Sequence, residues 1–120
     1  MTGNDSITTS VTYQDGIAVL TVGGEVDLAT VERLDAAIAE ALSRKPTALV
    51  IDLSEVDFFA SAGLQALVAT HESVSPSAEF AVVANGPATS RPIELTGLDQ
   101  IFALYPTLED AMAALKSGSE

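Results

Sequence analysis

A chain of 120 residues and 12.4 kDa buries roughly two-thirds of the surface its unfolded form exposes, enough for one ordinary core; a single domain over residues 1–120 is expected, packed over about 7–115 with short flexible ends. Apolar residues at 48% against 18% charged exclude disorder as a description of the whole, and aromatics at 5% imply a core of Val, Leu, Ile and Ala. Seventeen Asp plus Glu against five Lys plus Arg give a net charge of -12, a balance that repels phosphate backbones and anionic lipid, so neither nucleic acid nor membrane is an expected partner.

Ile7, Thr9, Val11 and Tyr13 alternate with Thr8, Ser10 and Thr12, the period of two of a half-buried strand. Asp15-Gly16 then supplies a turn into Ile17–Val22, so a β-hairpin is expected. Gly23-Gly24 reads as a turn leading to Glu25, Val26 and Asp27. Val31, Leu34, Ile38 and Leu42 recur at helical spacing and predict a helix of about four turns, ending at Ser43–Pro46 with Arg44 and Lys45 set for its C-terminal dipole. Ala48–Leu53 is a near-continuous apolar run, as in a central strand covered on both faces. A loop from Ser54 leads to a helix over Ser61–His71. Phe80–Ala84 reads as a strand and Asn85-Gly86-Pro87 as its exit turn. Ser90–Thr96 reads as a short helix closed by Gly97, and Phe102–Tyr105 as a last strand. Thr107-Leu108-Glu109-Asp110 has the form of a capping box opening a helix to Leu115, followed by a frayed tail from Lys116. The alternation implies an α/β fold, a mostly parallel sheet with flanking helices and an antiparallel first strand at or near an edge.

No cysteine and one histidine, His71, leave no thiolate chemistry, no disulfide and no Cys-based zinc site. No cofactor, metal or catalytic residue is expected. Phe59-Ala60-Ser61-Ala62-Gly63 differs at its first residue from the Gly-x-Ser-x-Gly nucleophile elbow, but His71 would stand roughly 15 Å along the same helix from Ser61, too far to act as its base. His71 is read instead as a residue near a helix C-terminus. Gly23-Gly24 lacks the neighbours of a phosphate-binding loop. The start, MTGNDSITTS, has neither the basic nor the apolar region of a secretion signal, and a cytoplasmic protein is expected.

In an open α/β sheet, function gathers at the carboxyl ends of the parallel strands. That rim would carry Glu25, Asp27, Asp52, Glu55, Asp57, Asn85 and the Ser61 hydroxyl. The simplest role for Ser61 is an N-cap. The apolar Phe58, Phe59 and Ala60 before it, and the small Ala62 and Gly63 after it, would also let another molecule's surface reach the hydroxyl.

Residues 49–64, LVIDLSEVDFFASAGL, resemble the signature of STAS domains, in particular of bacterial anti-sigma factor antagonists: a strand ending in Asp-Leu-Ser, a short loop, then Asp-Ser-Ser/Thr-Gly-Leu. Gly24-Glu25-Val26-Asp27 resembles the family's Gly-Glu-Leu/Ile-Asp. Glu94–Asp99 with Tyr105–Ala111 resembles its C-terminal third. The resemblance implies a STAS fold and a partner-switching antagonist, not an enzyme. In its unphosphorylated form it would bind an anti-sigma factor that is itself a serine kinase and so free a sigma factor. Phosphorylation at Ser61 would release it, and a serine phosphatase would reset it. Asp27 matches an acidic residue of the docking surface, which would comprise Glu25, Asp27, Phe58, Phe59, Ala60, Ser61, Ala62, Gly63, Leu64 and Asn85; the free protein is expected to be a monomer. The sequence departs from the pattern at Ala60, in place of Asp, and at Ala62, in place of Ser or Thr. The alternative is a STAS scaffold that docks constitutively, for example in a lipid-transport complex, with Ser61 only a cap.

Overall fold

Two strands open the fold, β1 (Ile7–Gln14) and β2 (Ile17–Val26), joined by Asp15 and Gly16 at φ 54° and 81°, the paired left-handed geometry of a two-residue hairpin turn. The computed structural model describes residues 7–75 and 77–118, with side chains to Lys116; of the ends expected to be flexible, 1–6 and 116–120, residues 1–6 and 119–120 lie outside the described residues. The chain continues through α1 (Val31–Leu42), β3 (Ala48–Phe59), α2 (Ser61–Val74), β4 (Glu79–Val83), α3 (Ser90–Leu95), a 3-10 turn (Leu98–Gln100), β5 (Ala103–Tyr105) and α4 (Leu108–Gly118). The strands lie in the order β1-β2-β3-β4-β5, with β1 antiparallel to β2 and every other pairing parallel. This is the expected α/β architecture, with the antiparallel strand at the edge.

One face of the sheet packs Leu20, Leu49, Ile51 and Leu53 against Leu34 of α1, Leu67 of α2 and Ile93 of α3, all fully buried. The other packs Val19, Val50 and Val83 against Ala111, Met112 and Leu115 of α4. Three helices on one face and one on the other explain why Ala48–Leu53 is apolar at every position but Asp52. Each large aliphatic side chain so buried stabilises the fold by about 1.5–3 kcal/mol.

Four expectations are corrected. Gly23-Gly24 is not a turn: both residues lie within β2, Gly23 opposite Thr8 and Gly24 opposite Ile7 on β1. The β2–β3 register shifts between Thr21 and Gly23 and again between Gly24 and Glu25. Glycine inside a strand marks such bulges, and here a Cβ on Gly23 would stand 2.8 Å from the Thr8 hydroxyl oxygen. The expected loop from Ser54 to Ser61 is mostly strand, because β3 runs on to Phe59 beside the equally extended β2, leaving Ala60 alone between β3 and α2. The first helix ends at Leu42, sooner than expected, and Arg44 lies over the Tyr13 ring at 4.9 Å instead of capping the helix. The tail is helical through Gly118, and Lys116 pairs with Asp15 at 3.1 Å. The capping residue at Thr107 is as expected: its hydroxyl accepts from the Asp110 N–H at 3.0 Å.

Candidate functional site: the rim around Ser61

The extension of β2 and β3 beyond the rest of the sheet builds the site. Glu25 pairs with Phe58 and Val26 with Phe59, and the Ala60 N–H donates to the Val26 carbonyl at 2.8 Å. Asp27 and Ser61 therefore leave neighbouring strand ends side by side, each leading into a helix.

Ser61 is not an N-cap. That position belongs to Ala60, extended at φ -86° and ψ 174° and offering no side-chain hydrogen bond, and Ser61 is the first helical residue. Its side chain is exposed, and its hydroxyl makes no hydrogen bond among the described residues. An alanine at the cap leaves first-turn N–H groups without the usual side-chain acceptor.

Gly63 faces inward. A Cβ there would lie 2.7 and 2.8 Å from two ring carbons of Phe59 and 2.9 Å from Val26 Cγ1, so the residue lets α2 approach the strand ends and does not form an open surface. Phe59 is likewise buried, whereas Phe58, the preceding residue on the strand, is 52% exposed. Ala60, Ala62 and Leu64 are half-buried.

Asp27 is held by its own loop. Its Oδ1 accepts from the Ala29 N–H at 3.0 Å and the Thr30 N–H at 3.1 Å. The buried Thr30 hydroxyl accepts from the Asp27 N–H at 3.0 Å and donates to the Glu25 carbonyl at 2.9 Å. The pair fixes the β2–α1 connection. Asp52, expected on the rim, is instead buried within the sheet between Thr21 and Val83, with Oδ1 accepting from the Ser54 N–H at 3.0 Å. Glu25, Glu55 and Asp57 are exposed. Asn85 is exposed too, but it follows β4, whose last pairing is to Asp52, well short of the end of β3.

Concave surfaces flank the rim. A groove of about 500 Å³ opens beside Ser61 between Leu64 and Val68 of α2 and Leu98 beyond α3. A second, of about 320 Å³, lies between Phe58 at the end of β3 and Arg91, Pro92 and Leu95 of α3. Leu28 at 82% and Leu95 at 74% exposure add apolar surface that the sequence reading missed. A signal for Leu95 was present: it lies two residues from the buried Ile93, and residues two apart on a helix do not share a face. His71 stands in the last turn of α2 with its ring 6.2 and 6.4 Å from those of Phe80 and Phe102. Among the described residues no group of acidic, His or Cys side chains could hold a metal ion, and no helix is long and apolar enough to cross a membrane.

The family model for the STAS domain matches residues 8–111, and the chain belongs to that family. It is 50% identical over 118 residues to the anti-sigma-F factor antagonist RsfB of Mycobacterium tuberculosis, covering 98% of this chain and 97% of that protein. The crystal structure of an anti-sigma factor antagonist from Mycobacterium paratuberculosis superposes with a TM-score of 0.90 at 51% identity, covering 97% of this chain and 99% of that one. The anti-sigma factor antagonist SpoIIAA in its unphosphorylated form shares the fold, with a TM-score of 0.74 at 17% identity over 92% of this chain and 97% of that one.

Proposed function

We propose that this anti-sigma factor antagonist works by partner switching, as one domain spanning the chain. Its unphosphorylated rim docks on an anti-sigma factor of the serine-kinase type. Transfer of a phosphoryl group from ATP on that kinase to the Ser61 hydroxyl ends the docking, and a serine phosphatase restores it. A partner that sequesters a sigma factor implies a cytoplasmic location. The protein itself needs no catalytic group for this.

The observation that carries the reading is the Ser61 hydroxyl, exposed on the first helical residue and not used as a cap. It lines the groove formed with Leu64, Val68 and Leu98, on a rim that carries the carboxylates of Glu25, Asp27, Glu55 and Asp57. A phosphate brings about -1.5 to -2 further charge, which would have to be desolvated in an interface fitted to a bare hydroxyl. In the alternative, a STAS scaffold that docks constitutively, Ser61 would serve only as a cap, a role that falls here to Ala60; the binding test below separates the two readings.

The test mixes the protein with the anti-sigma kinases of its source organism and ATP, and follows phosphate incorporation by mass spectrometry. Modification at Ser61 is expected, with Ser61→Ala still binding the kinase and Ser61→Glu not binding. Equal binding by wild type and Ser61→Glu would overturn the switching mechanism.

A further inference from the structure

Among the described residues nothing pairs with the outer edge of β1, and this edge differs from the rest of the acidic chain. Across Ile7–Gln14 the strand carries no Asp, Glu, Lys or Arg and no proline, and its pairing with β2 runs without a register shift. Natural edge strands are usually blunted by charge, proline or a bulge, because their free N–H and C=O groups template another strand. The opposite edge, β5, has three residues and is followed by Pro106.

Beside this edge lies a groove of about 300 Å³ between β1 and α1. Its helical wall is Arg33, Ala36, Ala37 and Glu40, spaced i, i+3, i+4 and i+7 and hence one stripe of the helix. The stripe has small residues at its centre and opposite charges at its ends. A helix that follows β2 and leads back to the parallel β3 runs alongside β1, so a two-fold axis through the β1 edge would set the stripe against itself in reverse, Arg33 facing Glu40 of the copy.

We propose that a second copy of this chain occupies this surface, with β1 pairing antiparallel to its counterpart near Ser10 and the two α1 helices meeting over the joined sheet. The spacing is consistent. Strands lie about 4.8 Å apart, so helices seated over the two β1–β2 pairs would stand about 10 Å apart, at the upper end of the range for packed helices. Elsewhere, the net charge of -12 opposes self-association; the uncharged strand and the self-complementary stripe are where it is opposed least. The monomer expected from sequence is then the dilute species, and no groove residue belongs to the Ser61 rim.

Sedimentation velocity on the full chain, from about 1 μM to 500 μM, tests this. A small interface of about 1,200 Å² in total should give a reversible dimer over that range. Arg33→Glu and Glu40→Arg should each weaken it at least tenfold, and the double variant should restore it. Ala36→Asp, at an exposed position, should abolish it while circular dichroism shows the fold retained. A monomer throughout, or a dimer indifferent to the single charge reversals, would overturn the proposal.

Discussion

Replacing Gly63 by alanine tests the packing that positions Ser61. On an exposed helix the change would stabilise by roughly 1 kcal/mol, since glycine costs that much against alanine. Here the new methyl would meet Phe59 Cε1 at 2.7 Å, Phe59 Cζ at 2.8 Å and Val26 Cγ1 at 2.9 Å. Carbon atoms rest at about 3.5–4.0 Å, so roughly 1 Å of separation has to be found. Phe59 is 6% exposed and Val26 fully buried, so neither can swing into solvent. Overpacking of this kind costs about 1–3 kcal/mol, and the propensity gain offsets only part of it. A net loss of up to about 2 kcal/mol follows, read as a lower urea midpoint at unchanged m-value. Phe59→Leu should recover part of the loss in the Gly63→Ala background, a coupling that a double-mutant cycle would measure. A Gly63→Ala protein more stable than wild type by the roughly 1 kcal/mol of an unhindered helix position would refute the close approach of α2 to the strand ends.

Ala60→Asp supplies the missing cap and should raise stability by about 0.5–2 kcal/mol, seen as a higher melting temperature; no change would mean that the first turn is already satisfied. Asp27→Asn keeps an Oδ1 acceptor and should alter stability by less than about 0.5 kcal/mol, whereas Asp27→Ala removes the acceptor and should cost about 1 kcal/mol. If the Asn variant also binds the anti-sigma factor as wild type does at low salt, the Asp27 charge has no part in docking.

Element order, the edge hairpin and the central strand were legible because each rests on local periodicity. What was not legible depends on partners across the sheet. Gly23-Gly24 has the composition of a turn, and only the neighbouring β1 and β3 keep it in the ladder. Ser54–Phe59 is polar enough to read as a loop, but β2 extends equally far and supplies its hydrogen bonds. Ser61 reads as a cap because Ser is favoured there; the cap falls at Ala60 because its carbonyl already accepts from the Gly63 and Leu64 N–H groups. Gly63 shows the limit most clearly, since smallness can serve an outside partner or an inside neighbour, and only the distance to Phe59 decides between them.

That inward role bears on how a switch at Ser61 would act. With Gly63 wedged against Phe59 and Val26, and Asp27 tied to Thr30, the backbone around the hydroxyl is fixed by buried contacts. A phosphate on Ser61 would therefore have little local freedom to relieve its repulsion from nearby carboxylates by moving the backbone. In the free protein it would remain hydrated at a helix N-terminus that tolerates an anion, at small cost to the fold. Against a partner it would lose that hydration. A rigid site thus concentrates the effect of modification on binding, so Ser61→Glu should lower partner affinity far more than it lowers the melting temperature.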